Sequence, residues 1–458
     1  MSRPAALSGF PEWLPAGRLL EQGVLDRLRR TFELHGFSSV ETRAVEPLGE
    51  LLRKGETSQE VYVLRRLQEY SDPAGRASLA ELDERQLGLH FDLTVPFARY
   101  VLEHAGQLDF PFKRYQIQKV WRGERPQDGR FREFTQADID VVGLGALPFH
   151  YEVELPLVMA EALAGLPIGR VEVRVNNRKL SQGFYLGLGL SDLTAVLRCV
   201  DKLDKIGPVK VAELLVDLAQ ASPAQAQACL DLAQIQGGRA DQVGQAVEEL
   251  ARRHNVVNDQ LMTGLAELTR LLEAAQSAQP GAVAADLKIA RGLDYYTGSV
   301  YESVLLGQES LGSICSGGRY DSLASDGART YPGVGLSIGV SRLVSRLIGQ
   351  DLARVTRPVP TAVLVAVVDE ASRSQSDQVA QALRARGVPT EVAPTAAKYG
   401  KQIKFADRRS IPYVWFPGDD GPDQVKDIRS GEQVEADRSS WRPAEDDLWP
   451  RLVLAQGE

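Results

Sequence analysis

Two runs rich in β-branched and aromatic residues, FKRYQIQKVWRG and FREFTQADIDVVG, flank the turn sequence PQDG at 126–129. Strand formers on both sides of a proline, an aspartate and a glycine predict one long antiparallel hairpin whose tip lies in WRGERPQDGRFREF, residues 121–134. Four arginines and three acids crowd that tip between aromatic ends. Successive strand residues face opposite sides, so Phe134, Gln136, Asp138 and Asp140 share one face and Thr135, Ala137, Ile139 and Val141 the other. The second set reads as buried; the first offers an aromatic plate, an amide and two carboxylates. Arg122 and Glu124 share a parity on the incoming strand. A surface joining Arg122, Phe134, Gln136 and Asp140 suits a phosphate, a stacked base and an ammonium or imidazole: a small zwitterion beside a nucleotide. Arginines and acids on a hairpin also form solvated ion pairs worth little, and the hairpin alone does not choose between these readings.

The 458 residues, 43% hydrophobic and 25% charged, exceed what one core usually serves, so two or three domains are expected. No run approaches the roughly 20 apolar residues of a membrane helix. The best, TAVLVAVV at 361–368, stops at Asp369 and Glu370. The N-terminal MSRPAALSGFPEWLP has prolines where a signal peptide would have an apolar core, so a cytoplasmic protein without membrane association is expected. Cys199, Cys229 and Cys315 are far apart, and His35, His90, His104, His150 and His254 form no HExxH. Neither a disulfide framework nor a resident metal site is indicated, and any metal arrives with a substrate. A net charge of −8 argues against indiscriminate coating of nucleic acid while leaving room for a local basic patch.

Along the chain, Leu20, Val24, Leu28 and Phe32 give residues 16–35 one apolar helical face, and Gly36 suits its stop. FSSVET reads as a strand, and 88–106 as a short strand running into a helix near Pro96. From about 191 to 275 the texture turns to Ala, Leu and Gln with little strand signal, which reads as a helical insertion closed by the linker 274–286. Strand character returns in RGLDYYTGSVYE (291–302), SGGRYD (316–321) and GVGLSIGVSRLV (333–344). Glycines in the last fit a strand pressed against a flat ligand, with Arg342 entering the helix that follows. Their spacing is not a dinucleotide fingerprint, and no GxxxxGK[ST] phosphate loop occurs. A boundary falls near RVTRPVP (354–360), after which strand and helix alternate, as in a small α/β domain with a largely parallel sheet. There AAKYGKQIKFADRRS places Lys398, Lys401 and Lys404 at three-residue spacing, with Arg408 and Arg409 at the helix end. Cations near a helix C-terminus commonly serve only as dipole partners.

Taken together, these segments resemble the class II aminoacyl-tRNA synthetases, and among them the histidyl-tRNA synthetases. WRGERPQDGRFREFTQADIDVVG is similar to that family's motif 2, GVGLSIGVSRL to motif 3 and HGFSSVET to motif 1, while RGLDYYTG and SGGRYD resemble its two histidine-specific segments. The resemblance implies an α+β catalytic domain (1–354), an antiparallel sheet flanked by helices and carrying the helical insertion, followed by a C-terminal α/β anticodon-binding domain (358–458). It implies ATP with Mg²⁺, L-histidine and tRNA(His) as ligands, and a homodimer. Residue by residue it implies that Arg122 holds the α-phosphate and the histidine carboxylate. Glu124, Arg130 and Phe134 would serve ATP, and Arg342 would face the polyphosphate. Asp92, Thr94 and Gln136 would meet the amino group; Asp140, Tyr295 and Tyr296 would line the imidazole pocket; Arg291 would supply a catalytic cation. Lys398, Lys401 and Lys404 would engage tRNA. The chain departs from the pattern at Arg43, where motif 1 has a proline nearby, and at Asp92, where a glutamate is usual. Two other readings are a synthetase-like paralogue that binds histidine and regulates the first enzyme of histidine biosynthesis, and a synthetase for another amino acid. The former generally lacks the anticodon-binding domain, and the latter leaves RGLDYYTG unexplained.

Overall fold

The computed structural model describes residues 5–52, 60–67, 86–127, 129–290, 295–308, 312–325, 327–418 and 421–455. The chain divides into two compact units, residues 1–11 with 25–345, and residues 12–24 with 346–458.

The apolar stripe of the first helix is real: Pro15–Leu34 is helical, and Leu20, Val24, Leu28 and Phe32 are at most 2% exposed. Gly36, at φ +77°, lets the chain leave it in a left-handed conformation. FSSVET contributes only the two-residue strand Ser38–Ser39. Among the described residues the first unit is built on a nine-stranded sheet. Its order is Ser38–Ser39, Phe112–Trp121, Glu133–Val142, Gly333–Gly339, Cys315–Tyr320, Tyr296–Leu305, Val171–Asn177, Val283–Asp286, Gln236–Gly237. All neighbours are antiparallel except the pairs Ser38–Ser39 with Phe112–Trp121 and Val171–Asn177 with Val283–Asp286.

The predicted hairpin is the pair Phe112–Trp121 and Glu133–Val142, in register from Phe112 opposite Val142 to Trp121 opposite Glu133. Ala137, Ile139 and Val141 are fully buried, as alternation requires. The polar face is buried as well: Gln136, Asp138 and Asp140 are 7%, 2% and 3% exposed. It is therefore a lined interior, in which a side chain of the neighbouring strand Gly333–Gly339, Ser337, partners Gln136, while Phe134 and Gln136 border the cavity described below. Gly335 lies opposite Asp140, and a Cβ there would fall 2.0 Å from Asp140 Oδ1. The glycine is thus emptied for a side chain of the protein itself, while Gly339 borders the cavity described below.

The insertion is mainly helical, with Leu193–Val200, Leu203–Ala219, Pro223–Ala233, Ala240–Arg253 and Asp259–Ala278. It is not purely so, since Gln236–Gly237 joins the sheet beside Ala285 and Asp286.

In the second unit the strand order is Thr390–Val392, Val363–Val365, Tyr413–Phe416, Gln424–Asp427, Gln433–Glu435. The first three are parallel and the last two antiparallel, so only half of the sheet follows the predicted pattern. Val363 and Val365 pack with Val379 and Leu383 of the helix Arg373–Ala385, whereas Leu364 packs with Ala406 of the helix Tyr399–Arg408. A helix on each face explains why TAVLVAVV is apolar throughout. Trp415 is fully buried core. Ala353–Val355 pairs with Leu452–Leu454 in this same unit.

Candidate active site

The hairpin tip and the glycine strand meet around one cavity of about 270 Å³. Arg122, Glu124, Arg130, Phe134, Gln136 and Arg342 all line it, together with Cys315, Ser316 and Ser337. Arg122 follows the strand end at Trp121, where its backbone N–H donates to Arg132 O at 2.8 Å. Its guanidinium is held between two rings, 4.3 Å from the centroid of Phe91 and 5.0 Å from that of Phe134. Nε donates to Phe91 O at 3.2 Å. Burial lowers the Arg122 pKa, while Asp92, Glu124 and Asp138 oppose that shift; an arginine so placed remains a cation. Arg342 comes from the helix Val340–Gly349 and donates to Ser313 O at 2.9 Å. Gly129, at φ +68°, brings the hairpin tip against the stem of Arg342, where a Cβ would lie 3.3 Å from its Cγ. Two guanidiniums from segments some 200 residues apart thus face one hollow beside a phenyl ring. Arg291 lies outside the described residues.

Behind the cavity stands a group of buried acids. Asp92, 6% exposed, accepts from the backbone N–H groups of Thr94 and Val95, each at 3.1 Å, in the first turn of the helix Thr94–His104. Asp140 lies 2.7 Å from Arg114 and accepts from the Tyr320 hydroxyl at 2.8 Å. Arg114 is wholly buried, with its guanidinium 4.3 Å from the Phe97 ring centroid. Burial pushes the Asp138 carboxyl up to about 7; Arg114 and a hydrogen bond from Ser337 pull it down, and Asp140 and Asp92 push it further up. Asp92, Thr94, Asp140, Tyr295 and Tyr296 do not line the 270 Å³ cavity. The Tyr295 and Tyr296 rings lie 4.2 Å apart and border a second hollow of about 430 Å³ with Arg178, Lys179, Gln182 and Thr297. Burial raises the Tyr295 pKa, as do the charges of Asp92, Asp140 and Asp138, so this phenol and the three acids share one electrostatic neighbourhood.

Arg114, Tyr320 and Ser337 belong to the site but carry no distinct signal in the sequence. Tyr320 and Ser337 sit in segments whose glycines drew attention; Arg114 looks like any strand arginine until the register sets it opposite Asp140. Arg43 is exposed and pairs with buried Glu46 at 3.0 Å, and Arg99 reaches the same carboxylate at 2.8 Å.

In the second unit Lys398, Lys401 and Lys404 are exposed. Their helix begins at Tyr399, which sets Lys398 and Lys401 at its N-terminal end, where the helix dipole repels cations. The dipole-partner reading therefore fails for them. Arg409 is engaged with Glu391, NH2 to Oε1 at 2.8 Å.

A model of the histidyl-tRNA synthetase family matches residues 9–343, and one of an anticodon binding domain matches 362–441. The chain is 58% identical to the histidine–tRNA ligase of Micrococcus luteus, with 100% of both chains covered. It is 57% identical to that of Bifidobacterium animalis subsp. lactis, with 97% of both covered. The crystal structure of histidyl-tRNA synthetase from Nostoc sp. PCC 7120 superposes with a TM-score of 0.82 at 36% identity, covering 95% of this chain and 97% of that one. With an arginine-bearing hairpin on an antiparallel sheet and full-length likeness of this degree, the chain belongs to the histidyl-tRNA synthetase family of class II synthetases.

Proposed function

We propose that the chain joins L-histidine to ATP, giving histidyl-adenylate and pyrophosphate, and passes the histidyl group to the 3′ end of tRNA(His). The observation that carries this reading is the convergence of Arg122 and Arg342 on one cavity beside Phe134, with buried acids behind it. Adenylation is an in-line displacement at phosphorus in which negative charge grows on phosphate oxygens, so fixed cations and correct positioning supply most of the catalysis. Arg122 holds the α-phosphate and the histidine carboxylate, and Arg342 the polyphosphate. Phe134 offers a stacking face to adenine, with Glu124 and Arg130 at its rim. Gln136, Asp92 and Thr94 receive the amino group, and Asp140, Tyr295 and Tyr296 the imidazole. Arg291 adds charge at the phosphorus. A neutral imidazole carries one donor and one acceptor nitrogen, and a carboxylate beside a phenol satisfies its donor edge and leaves a wrong side chain facing unpaired polar groups.

Among the described residues no cluster of three or more His, Cys, Asp or Glu is arranged for a metal. Mg²⁺ entering with ATP needs few protein ligands, since the phosphate oxygens supply most of them; Glu124 on the cavity wall is the carboxylate positioned to help. Such an ion neutralises phosphate charge during displacement. Residues 358–458 bind the anticodon stem, with Lys398, Lys401 and Lys404 as phosphate contacts, and residues 1–354 form the catalytic domain. The working form is a homodimer in the cytoplasm. Separately, no helix among the described residues is long and apolar enough to cross a membrane.

The test is ATP–pyrophosphate exchange with the purified protein against all twenty amino acids. Exchange dependent on histidine alone supports the ligase reading. Histidine binding with no exchange overturns it in favour of a regulatory paralogue, and exchange with a different amino acid redirects the assignment.

A further inference from the structure

Ser337 stands directly opposite Asp138 in the sheet register, and its hydroxyl donates to Asp138 Oδ1. Ser337 Oγ in turn accepts from Gln136 Nε2 at 2.7 Å. A serine hydroxyl has one proton. Once that proton is given to the carboxylate, the oxygen can only accept from Gln136. The amide must then turn its NH₂ toward Ser337 and keep its carbonyl for something else. Gln136 is 7% exposed, it lines the cavity, and its Oε1 has no partner among the described residues. A buried acceptor left in this state wants a donor, and an ammonium has three N–H groups and no acceptor.

We propose that Ser337 and Asp138 are positioning residues that fix the direction of two successive hydrogen bonds, so that Gln136 presents its carbonyl oxygen, and not its NH₂, to the α-ammonium of the amino acid. The inference rests on the reading of the cavity as the amino-acid site. Asp138 does not line the cavity, and Ser337, which does, acts here through Gln136. Their effect is to choose which end of an otherwise symmetric-looking amide faces it, and the wrong choice sets donor against donor.

Protonation gives the relay a second consequence. Asp138 is buried and its carboxyl is pushed up to about 7. Arg114 from the facing strand, Asp140 on its own strand and Asp92 before the helix act on it, and its charge is felt by Arg122, Tyr295 and Cys315. A protonated Asp138 can donate to Ser337, which releases the serine proton toward Gln136 and permits the amide to reverse.

The experiment uses the full-length protein and two ligands, histidine and 3-(imidazol-4-yl)propionate, which keeps the ring and carboxylate but has no amine. S337A should raise the KM for histidine in exchange by about tenfold while the inhibition constant of the analogue stays within about twofold, and S337T should restore the KM. Equal weakening of both ligands, or an unchanged KM, overturns the proposal. Below pH about 7 the wild-type KM for histidine should climb more than the analogue's inhibition constant, once each is corrected for the separately measured titration of that ligand's own ring, and D138N should abolish that excess. If D138N keeps it, the relay is not what titrates. Should wild-type protein lack histidine-dependent exchange, the catalytic reading fails on its own, and the same comparison is made by calorimetric binding of the two ligands.

Discussion

Arg114 is wholly buried against Asp140, whereas Lys398, Lys401 and Lys404 stand exposed in the second compact unit. The two regions use charge under different physics. In the sheet interior each ion lost most of its water, so its partner and distance are fixed, its protonation is set by its neighbours, and moving one of them disturbs the rest. On the lysine helix the ions keep their hydration, and their attraction for a polyanion comes through release of counterions and is weakened by salt. Interior charge can therefore place atoms for chemistry, while surface charge can raise encounter and affinity without fixing geometry.

The largest break of that contrast is Arg122→Ala. Removing a preorganised cation from the cavity should lower the rate of histidine-dependent exchange by about a thousandfold and, because Arg122 also holds the histidine carboxylate, weaken histidine affinity by a smaller factor of about tenfold. A parallel loss of both would make Arg122 a binding residue only. Next is Arg114→Met, which leaves Asp140 buried and uncompensated; urea unfolding should show a loss of about 3–5 kcal/mol, and a loss below about 1 kcal/mol would mean that Asp140 finds relief elsewhere.

A smaller effect tests the acid group. In the folded chain Asp138 keeps its proton up to about pH 7, while an unfolded aspartate releases it near about pH 4. Between those values the folded state binds more protons than the unfolded one, so stability should fall as pH rises through this window. D138N should reduce that slope in denaturant midpoints measured from pH 4 to pH 7.5; Asp286, whose pKa burial also raises, leaves a residual slope of the same sign. An unaltered slope would show that Asp138 is ionised throughout. The smallest effect belongs to the surface. Replacing Lys398, Lys401 and Lys404 by glutamine should raise the KM for tRNA and reduce the salt dependence of charging by about one unit of slope per lysine. Exchange without tRNA is the control, and a fall in exchange equal to that in charging would tie this helix to folding instead.

What the sequence made legible was local. The hairpin, the helix of Leu20, Val24, Leu28 and Phe32, and the run from Gly333 into Arg342 all follow from residues that decide their own conformation. Convergence of Glu124, Arg130 and Phe134 with the two arginines was legible through resemblance, because the motif carries a known arrangement with it. Burial of the polar face was not, since it depends on a strand 200 residues later lying alongside. The partnership of Arg114 with Asp140 is of the same kind: arginine at a strand position has no preferred neighbour until register supplies one. Gln236–Gly237 escaped because two residues cannot display a period.

Both outermost strands of the nine-stranded sheet, Ser38–Ser39 and Gln236–Gly237, are only two residues long. So broad a sheet could template the addition of foreign backbone along either border, the route by which β-rich chains coalesce. Among the described residues each border ends in a two-residue strand, and a very short edge strand is one device by which native sheets discourage such addition. The insertion thus gives one border a short, blunt finish, and lengthening that stub by a few β-branched residues would be expected to make the protein precipitate before it altered catalysis.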